Sequence, residues 1–595
     1  MPLPNLEHSV EEVGSWVSQL PIATRPLSKT ELSRFEDEAQ IVAGWCVSAQ
    51  LTEETNIGIL IPMSFPFTPP EFAVLGDRSE NWPHCKEDGR LCAYPETTEV
   101  SAYRPVEVVA ELFKDVLGLV QSLLNNELAN DFGDEFETYW LNKSSPNFTI
   151  NYSLLVPETA AGLIKIWLGR AFHLIASTEQ ELTDWLTNHG VKPESQIFHD
   201  AFLCNTPTPL LPRDYPKSCG AVLTLIETHS PNHLGEFRQL IAGDESHLSV
   251  VIASETSSGP CFAAVQILRS VATFNRGRKS QVQIPGFRPG KAPAILEANH
   301  RLSNSVVRRE PVRRADGPWV HGRGKDDRYS ILKKQNVCVI GNGSVGSYVA
   351  SNLAEVGVGG LVLVDPGLLE WENTGRHYLG GDDVRNFKSV ALAKRISRRF
   401  PNIAKSKGYQ KKWQDVFHSG HEQFNDFDLV VSLTGSWSSD LQLNSELLGI
   451  DVPILYGWLE PFAAAGHSLL LNPKDACIQC GFDDMGQPIR RVFDWNGKET
   501  LAKQGGCGTL FQPYGPADCL HSIAMMTETA IDSLMGRIKR SSHRVWINKE
   551  LPDLDLKPQW SLEWKKIENF DSRQRVIELP WNLDKECQLC ARPIH

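Results

Sequence analysis

Long apolar runs are missing from this chain. No stretch of roughly 18 uninterrupted apolar residues occurs, so no helix of the length a bilayer requires can be drawn. The opening residues, MPLPNLEHSVEEVGSW, lack the basic block and apolar core of a secretory leader. A cytoplasmic location without membrane attachment is the expectation. Positive charge is also short: 59 Lys and Arg stand against 72 Asp and Glu, a net charge of −13. A surface of that sign does not coat nucleic acid, and no direct nucleic-acid binding is expected. The basic run from Arg308 to Arg314 and from Arg323 to Arg328 is the local exception, and it reads as a solvated linker face. The chain has no internal repeat or low-complexity tract. It lacks the even cysteine count of a disulfide framework, having 13, so free thiols, metal ligands or catalytic cysteines are expected instead.

At 595 residues, 41% of them apolar, the chain is too long for one core and is expected to be multidomain. Residues 1–150 open with helix-like patterning from Thr30 and continue into strand-like runs from Ile41 and Ile57. A Pro-rich turn, Cys92 and two helical stretches follow, Val106 to Asn125 and Glu135 to Leu141. Strands before helices suggest an α+β domain. Residues 151–325 carry no chemical motif. Helical patterning from Ala160 to Ser177 and short apolar runs such as that from Ala221 read as an α/β linking or recognition domain. In residues 326–595 strand and helix alternate, the signature of βαβ units around a parallel sheet, so a Rossmann-like α/β domain is expected.

The strand of that last domain runs into Gly341-Asn342-Gly343-Ser344-Val345-Gly346 and then a helix. Glycines let the backbone approach a phosphate, and the helix N-terminus offers free N–H groups and a favourable dipole. Asp365 ends the next strand, where an acid meets a ribose hydroxyl. Gly341, Gly343, Gly346 and Asp365 are therefore the nucleotide-binding candidates. A hydride-transferring oxidoreductase would share this loop, so the residues downstream must decide. Two CxxC pairs, Cys477/Cys480 and Cys587/Cys590, flank a long insertion. Four thiolates in two such turns suit a structural zinc ion.

After Asp365 come Asn373, Arg376 and, one helix later, Lys388. This resembles the activating enzymes of ubiquitin-like proteins, the ThiF/MoeB-type adenylation domains. The resemblance implies ATP and Mg2+ as cofactors, with Asn373, Arg376 and Lys388 at the phosphates; the two cations would neutralise a triphosphate under attack by a carboxylate. It also implies a Zn2+ clip on the four cysteines and a homodimer. The chain departs from the pattern at Gly367, where a second acid is usual, and at His377, where Gln is usual. No acid follows Thr434 at the metal position, and Asp440 is the substitute at hand. The family's catalytic cysteine lies on a crossover loop between the zinc pairs, where Cys507 and Cys519 stand. Cys507, in a Gly-rich stretch, suits a travelling thiol; Cys519, near a helix start, is the alternative.

The segment from Phe65 to Pro70, then Trp82-Pro83-His84 and Gly89-Arg90-Leu91-Cys92, is similar to ubiquitin-conjugating enzymes, with Cys92 at the thioester position. His84 replaces the Asn that steadies the oxyanion, and as a histidine that can donate a hydrogen bond there it is a catalytic candidate beside Cys92. Conjugating domain first and activating domain last resembles the fused E2–E1 enzymes of bacterial CBASS antiphage operons. That resemblance implies a relay from adenylate to Cys507 to Cys92 and on to a target amine. It also implies the C-terminus of a cGAS-like nucleotidyltransferase (CD-NTase) as the activated substrate. The alternatives are a sulfur-carrier-type adenylyltransferase with a non-catalytic N-terminal recruitment domain, and a nucleotide-binding scaffold.

Overall fold

The computed structural model describes residues 5–35, 40–76, 82–86, 88–95, 97–128, 131–142, 148–242, 247–257, 259–268, 286–288, 291, 293, 296, 305–473, 475–483, 486–496, 499–503, 510–548, 558–584, 586, 587, 589 and 590. The chain divides into two compact units. One comprises residues 1–148, 160–162 and 202–311, the other residues 149–159, 163–201 and 312–595.

In the first unit Thr24–Pro26, Ile41–Gln50, Glu54–Pro62 and Glu71–Val74 form a four-stranded antiparallel sheet in chain order. Ile57, Ile59 and Ile61 alternate onto one face and are fully buried there, while Leu60 is buried in a second cluster on the other face. The helix Pro105–Leu124 covers that face with Val109, Phe113, Val116, Val120 and Leu123, spaced three and four apart. Proline at its first position loses no helical hydrogen bond. Helix Leu6–Ser18 adds Val13 and Val17, and Asn5 caps it by accepting from His8 N. A second core of this unit gathers Phe136 and Trp140 with the helices Cys219–His229 and Leu234–Ala242 and the hairpin His247–Thr256/Gly259–Leu268. The Trp140 indole donates to the Glu310 carbonyl at 2.9 Å.

In the second unit an eight-stranded sheet starts at Lys405–Tyr409 and continues through Gly360–Val364, Asn336–Ile340, Leu429–Ser432 and Ile454–Leu459, all parallel. Ala465–Leu471, Ser542–Ile547 and Val576–Pro580 extend it antiparallel. The first strand in sequence, Asn336–Ile340, has the second on one side and the fourth on the other. The chain order reverses there, which opens a crevice beyond the carboxyl ends of Ile340 and Ser432. Helices Gly346–Glu355, Lys388–Arg399 and Pro516–Leu534 share the core on one face of this sheet. Helix Glu179–His189 is fastened to the same unit by Asn188, whose amide donates to the Pro401 and Ile403 carbonyls, both at 3.0 Å.

Two expectations for the middle of the chain are corrected. The helical patterning from Ala160 to Ser177 is two strands, Gly162–Leu168 and His173–Ala176. Ile164 and Ile166 are buried while Leu163 is exposed, so alternation rather than a 3.6 period governs. The apolar run from Ala221 is the helix Cys219–His229, started by Ser218, which accepts from Ala221 N. The basic run from Arg308 is no solvated linker but the strand Val306–Arg314. Arg314 forms a two-pronged ion pair with Asp316 at 2.7 Å on each prong, and both side chains are buried. Among the described residues no helix is long and apolar enough to cross a membrane.

Candidate functional site

Strand Asn336–Ile340 ends at Gly341, whose φ of +86° only glycine tolerates readily. A β-carbon there would lie 2.7 Å from the Leu433 carbonyl, and one on Gly346 would lie 1.9 Å from the Gly341 oxygen. The loop is therefore drawn tight against the neighbouring strand end, and Gly343 faces open space. Asp365 organises it. One carboxylate oxygen accepts from Asn342 N and the other from Gly367 N, each at 2.7 Å. His377 holds the loop from behind. Its Nδ1 accepts from Leu379 N at 3.0 Å, so the proton sits on Nε2, which donates to the Asn342 carbonyl at 2.7 Å. Burial lowers the pKa of His377 and keeps the ring neutral.

The cations gather at the same crevice. Lys388 opens helix Lys388–Arg399, and its backbone N donates to the Gly367 carbonyl at 2.9 Å. A β-carbon on Gly367 would stand 3.0 Å from an Asp365 carboxylate oxygen and 3.6 Å from Lys388 Nζ. Gly367 thus leaves room between acid and ammonium. Asn373 lies on the short helix Trp371–Thr374, where its side chain accepts from Glu370 N and its carbonyl accepts from Arg376 N. The Arg376 guanidinium donates to the carbonyls of Gln512 at 2.9 Å and Tyr514 at 3.4 Å and lies over the Tyr514 ring. The Tyr514 hydroxyl meets Ser344 Oγ of the glycine loop at 2.7 Å. A cavity of about 470 Å3 opens beside Gly341 and Asp365, lined also by Lys411, Lys412 and Trp413. Tyr514, Lys411 and Lys412 escaped the sequence reading. The lysine pair follows the edge strand Lys405–Tyr409 directly, so only the strand order reveals which crevice it enters. Asp440 accepts from Ser432 Oγ at 2.6 Å and Thr434 Oγ1 at 2.9 Å, and burial raises its pKa to about 6.

The first unit presents a thiol. Bridges Ala73↔Arg90 and Cys85↔Leu91 close a small hairpin against strand Glu71–Val74. Cys92 follows, exposed, with its N–H donated to the His84 carbonyl at 2.8 Å. His84 takes a positive φ of 57°. Its N–H donates to the Tyr139 hydroxyl at 2.6 Å; Nε2 meets Asp131 at 3.0 Å and Nδ1 meets Glu135 at 3.1 Å. These carboxylates, Glu135 foremost, raise the His84 pKa to about 9. Both ring N–H groups are thus directed at carboxylates.

Cys477, Cys480, Cys587 and Cys590 converge with all four sulfurs within 4.8 Å of one another. The separations Cys477–Cys480, Cys477–Cys587 and Cys480–Cys590 are 3.9, 3.6 and 3.3 Å. Zn–S bonds of about 2.3 Å make a tetrahedron with edges of about 3.8 Å, so the thiols fit zinc. Asp584 N donates to the Cys480 sulfur at 3.4 Å, a contact that would support a ligating thiolate. Of the two crossover candidates, Cys507 lies outside the described residues. Cys519 is buried in the first turn of helix Pro516–Leu534; burial raises its pKa and its thiol points to the Pro516 carbonyl at 3.2 Å.

Residues 322–538 match the ThiF family and residues 19–149 match prokaryotic E2 family B. The ATP-dependent ubiquitin transferase-like protein Cap2 of Pseudomonas aeruginosa (strain BWHPSA011 / Pa011) is 23% identical over 472 residues, covering 76% of this chain and 80% of that protein. Ubiquitin-like modifier-activating enzyme 5 of Aedes aegypti is 25% identical over 237 residues, covering 38% of this chain and 58% of that one. Among solved structures, the crystal structure of E. coli MccB matches over 44% of this chain and 67% of its own, with a TM-score of 0.32 and 14% identity.

Proposed function

We propose that this E2–E1 fusion enzyme, a prokaryotic E2 family B domain and a ThiF-family domain in one chain, uses ATP to activate a protein C-terminus and conjugates it to an amine. The observation that supports this most is the presence in one chain of a nucleotide cradle flanked by Arg376 and Lys388 and of an exposed thiol, Cys92, at the head of a hairpin.

In the first step the substrate's terminal carboxylate attacks the α-phosphorus of ATP, and pyrophosphate leaves. Gly341, Gly343 and Gly346 bring backbone to the phosphates, and Asp365 faces the ribose. Arg376 and Lys388 balance the developing charge, with Asn373 adding a directional contact. Asp440 is the carboxylate we assign to Mg2+. In the second step the Cys507 thiolate attacks the acyl carbon of the adenylate and AMP leaves. The Cys92 thiolate then displaces Cys507 from the thioester, and an amine, a lysine of the target, displaces Cys92 to leave an amide. Cys477, Cys480, Cys587 and Cys590 would hold Zn2+, which supplies a structural crosslink. We take residues 151–325 as the linking and recognition region. The likeness to a ubiquitin transferase-like Cap2 favours transfer of a whole protein over sulfur-carrier chemistry. We assign the C-terminus of a CD-NTase as the substrate and a homodimer as the working form.

The test is a non-reducing gel of the protein with ATP, magnesium and a CD-NTase, comparing wild type with Cys92→Ala and Cys507→Ala. A thiol-sensitive adduct that needs both cysteines is expected. An adduct that forms fully on Cys92 without Cys507 removes the first thioester. No adduct with any partner, despite ATP binding, turns the reading to a nucleotide-binding scaffold.

A further inference from the structure

Asp131, Glu135 and Tyr139 belong to none of the motifs above, and no step of the relay uses them, yet all three converge on His84. They recur every four residues. Glu135 N donates to the Asp131 carbonyl and Tyr139 N to the Glu135 carbonyl, both at 3.2 Å, so the three lie on one helical face. His84 sits in the left-handed region that residues with a β-carbon seldom adopt. Its carbonyl accepts the Cys92 N–H, so the turn that presents the thiol closes on the residue those three side chains hold.

We propose that Asp131, Glu135 and Tyr139 form a clamp of positioning residues for thioester chemistry at Cys92: they hold His84 in its left-handed turn, and His84 fixes the main-chain hydrogen bond that sets the thiol. The proposal rests on the reading of Cys92 as the conjugating thiol. It gives His84 a role compatible with a ring whose two N–H groups are both spent on carboxylates. Tyr139 receives the His84 N–H and also hydrogen-bonds Glu135, so backbone and ring are held from the same helical face.

The clamp depends on a protonated ring and carries a pH signature. Its pKa of about 9 lies above that of a free histidine, so the clamp is complete below about pH 6.5 and is lost as pH rises through about 9. Glu135 and Asp131 face the His84 ring, the Tyr139 hydroxyl accepts its backbone N–H and the Cys92 N–H meets its carbonyl, with Asp134 acting on Glu135. Burial raises Cys85 to about 12 and lifts Tyr139 above the ordinary phenol, while His84 lowers Glu135.

The experiment uses the full chain. Transfer from charged Cys92 to an amine is measured in wild type and Glu135→Gln from about pH 6.5 to 9, and ring-13C-labelled histidine reports His84, identified by the signal lost in His84→Gln. The expected result is a Glu135→Gln to wild-type rate ratio near one at the low end, falling about threefold or more by about pH 8.5, with His84 titrating at least one unit lower in the variant. Tyr139→Phe should slow transfer equally at every pH and leave the His84 titration in place. A ratio flat across pH, or a wild-type His84 titrating near 6.5, overturns the clamp. A wild type that never charges Cys92 overturns the relay instead. Alkylation of Cys92 by iodoacetamide over the same range then decides the clamp, and a flat ratio there overturns it.

Discussion

The guanidinium of Arg376 lies 4.6 Å from the centre of the Tyr514 ring, while the Tyr514 hydroxyl bonds Ser344 in the glycine loop. One side chain thus touches both the glycine loop and the cation we assign to the phosphates. A guanidinium over an aromatic face is worth about 0.5–2 kcal/mol. Tyr514→Ala is expected to lower ATP–pyrophosphate exchange about 3- to 30-fold, chiefly through the KM for ATP. Tyr514→Phe keeps the ring and should stay within about threefold of wild type. Equal losses in the two variants would show that the hydroxyl, not the ring, matters.

His377 supports the loop from the buried side and works as a neutral ring. Removing it leaves the Asn342 carbonyl without its donor, which costs about 1–3 kcal/mol. His377→Ala should lower the urea midpoint accordingly, and His377→Gln should recover most of it. The pH dependence has a definite sign. The folded pKa lies below that of the unfolded chain, so the unfolded state binds the extra proton. This contribution to stability is present above about pH 6.5 and is lost as pH falls through the lowered folded value. Urea titrations at about pH 5 and 8 should therefore show a larger acid loss in wild type than in His377→Gln.

Cys519 is a core residue in the structure, with a thiol that burial keeps protonated. Cys519→Ala is expected to leave thioester formation within about twofold of wild type, with a small loss of stability from the missing sulfur. Cys507→Ala should abolish the thiol-sensitive adduct. Loss of the adduct in Cys519→Ala, in protein that unfolds at the wild-type temperature, would reverse the assignment.

The four-cysteine cluster predicts about one zinc ion per purified chain. Cys480→Ser should bring that close to zero and lower the unfolding temperature, because Cys477 and Cys480 would no longer be tied to Cys587 and Cys590, more than a hundred residues away. Elemental analysis and a thermal scan check both halves. Wild-type protein with no bound metal and unchanged stability in the presence of chelator would reduce the cluster to four packed thiols.

Much of the nucleotide site was legible because its parts are local. A strand, a glycine turn and a helix follow one another within about twenty residues, and the next strand delivers Asp365 by the period of a βαβ unit. The two CxxC pairs were legible because each turn carries its own two thiols. The strand-like runs from Ile41 and Ile57 and the helical stretch from Val106 to Asn125 were legible as local apolar patterns, and they are the strands Ile41–Gln50 and Glu54–Pro62 and the helix Pro105–Leu124.

The sequence by itself therefore determined the class of each half, the glycine loop, Asp365, the cysteine pairs and the thiol at Cys92. Only the tertiary structure decided what surrounds them. Tyr514 reaches Arg376 across 138 positions, and Asp131 reaches His84 across 47, because sheet order and helix packing bring together side chains that no short-range period relates. The same holds for Ile164 and Ile166: an apolar run this short fits a strand or a helix equally, and the pairing of Gly162–Leu168 with His173–Ala176 chose the strand. Local spacing sets which atoms a segment can offer; packing sets which of them meet.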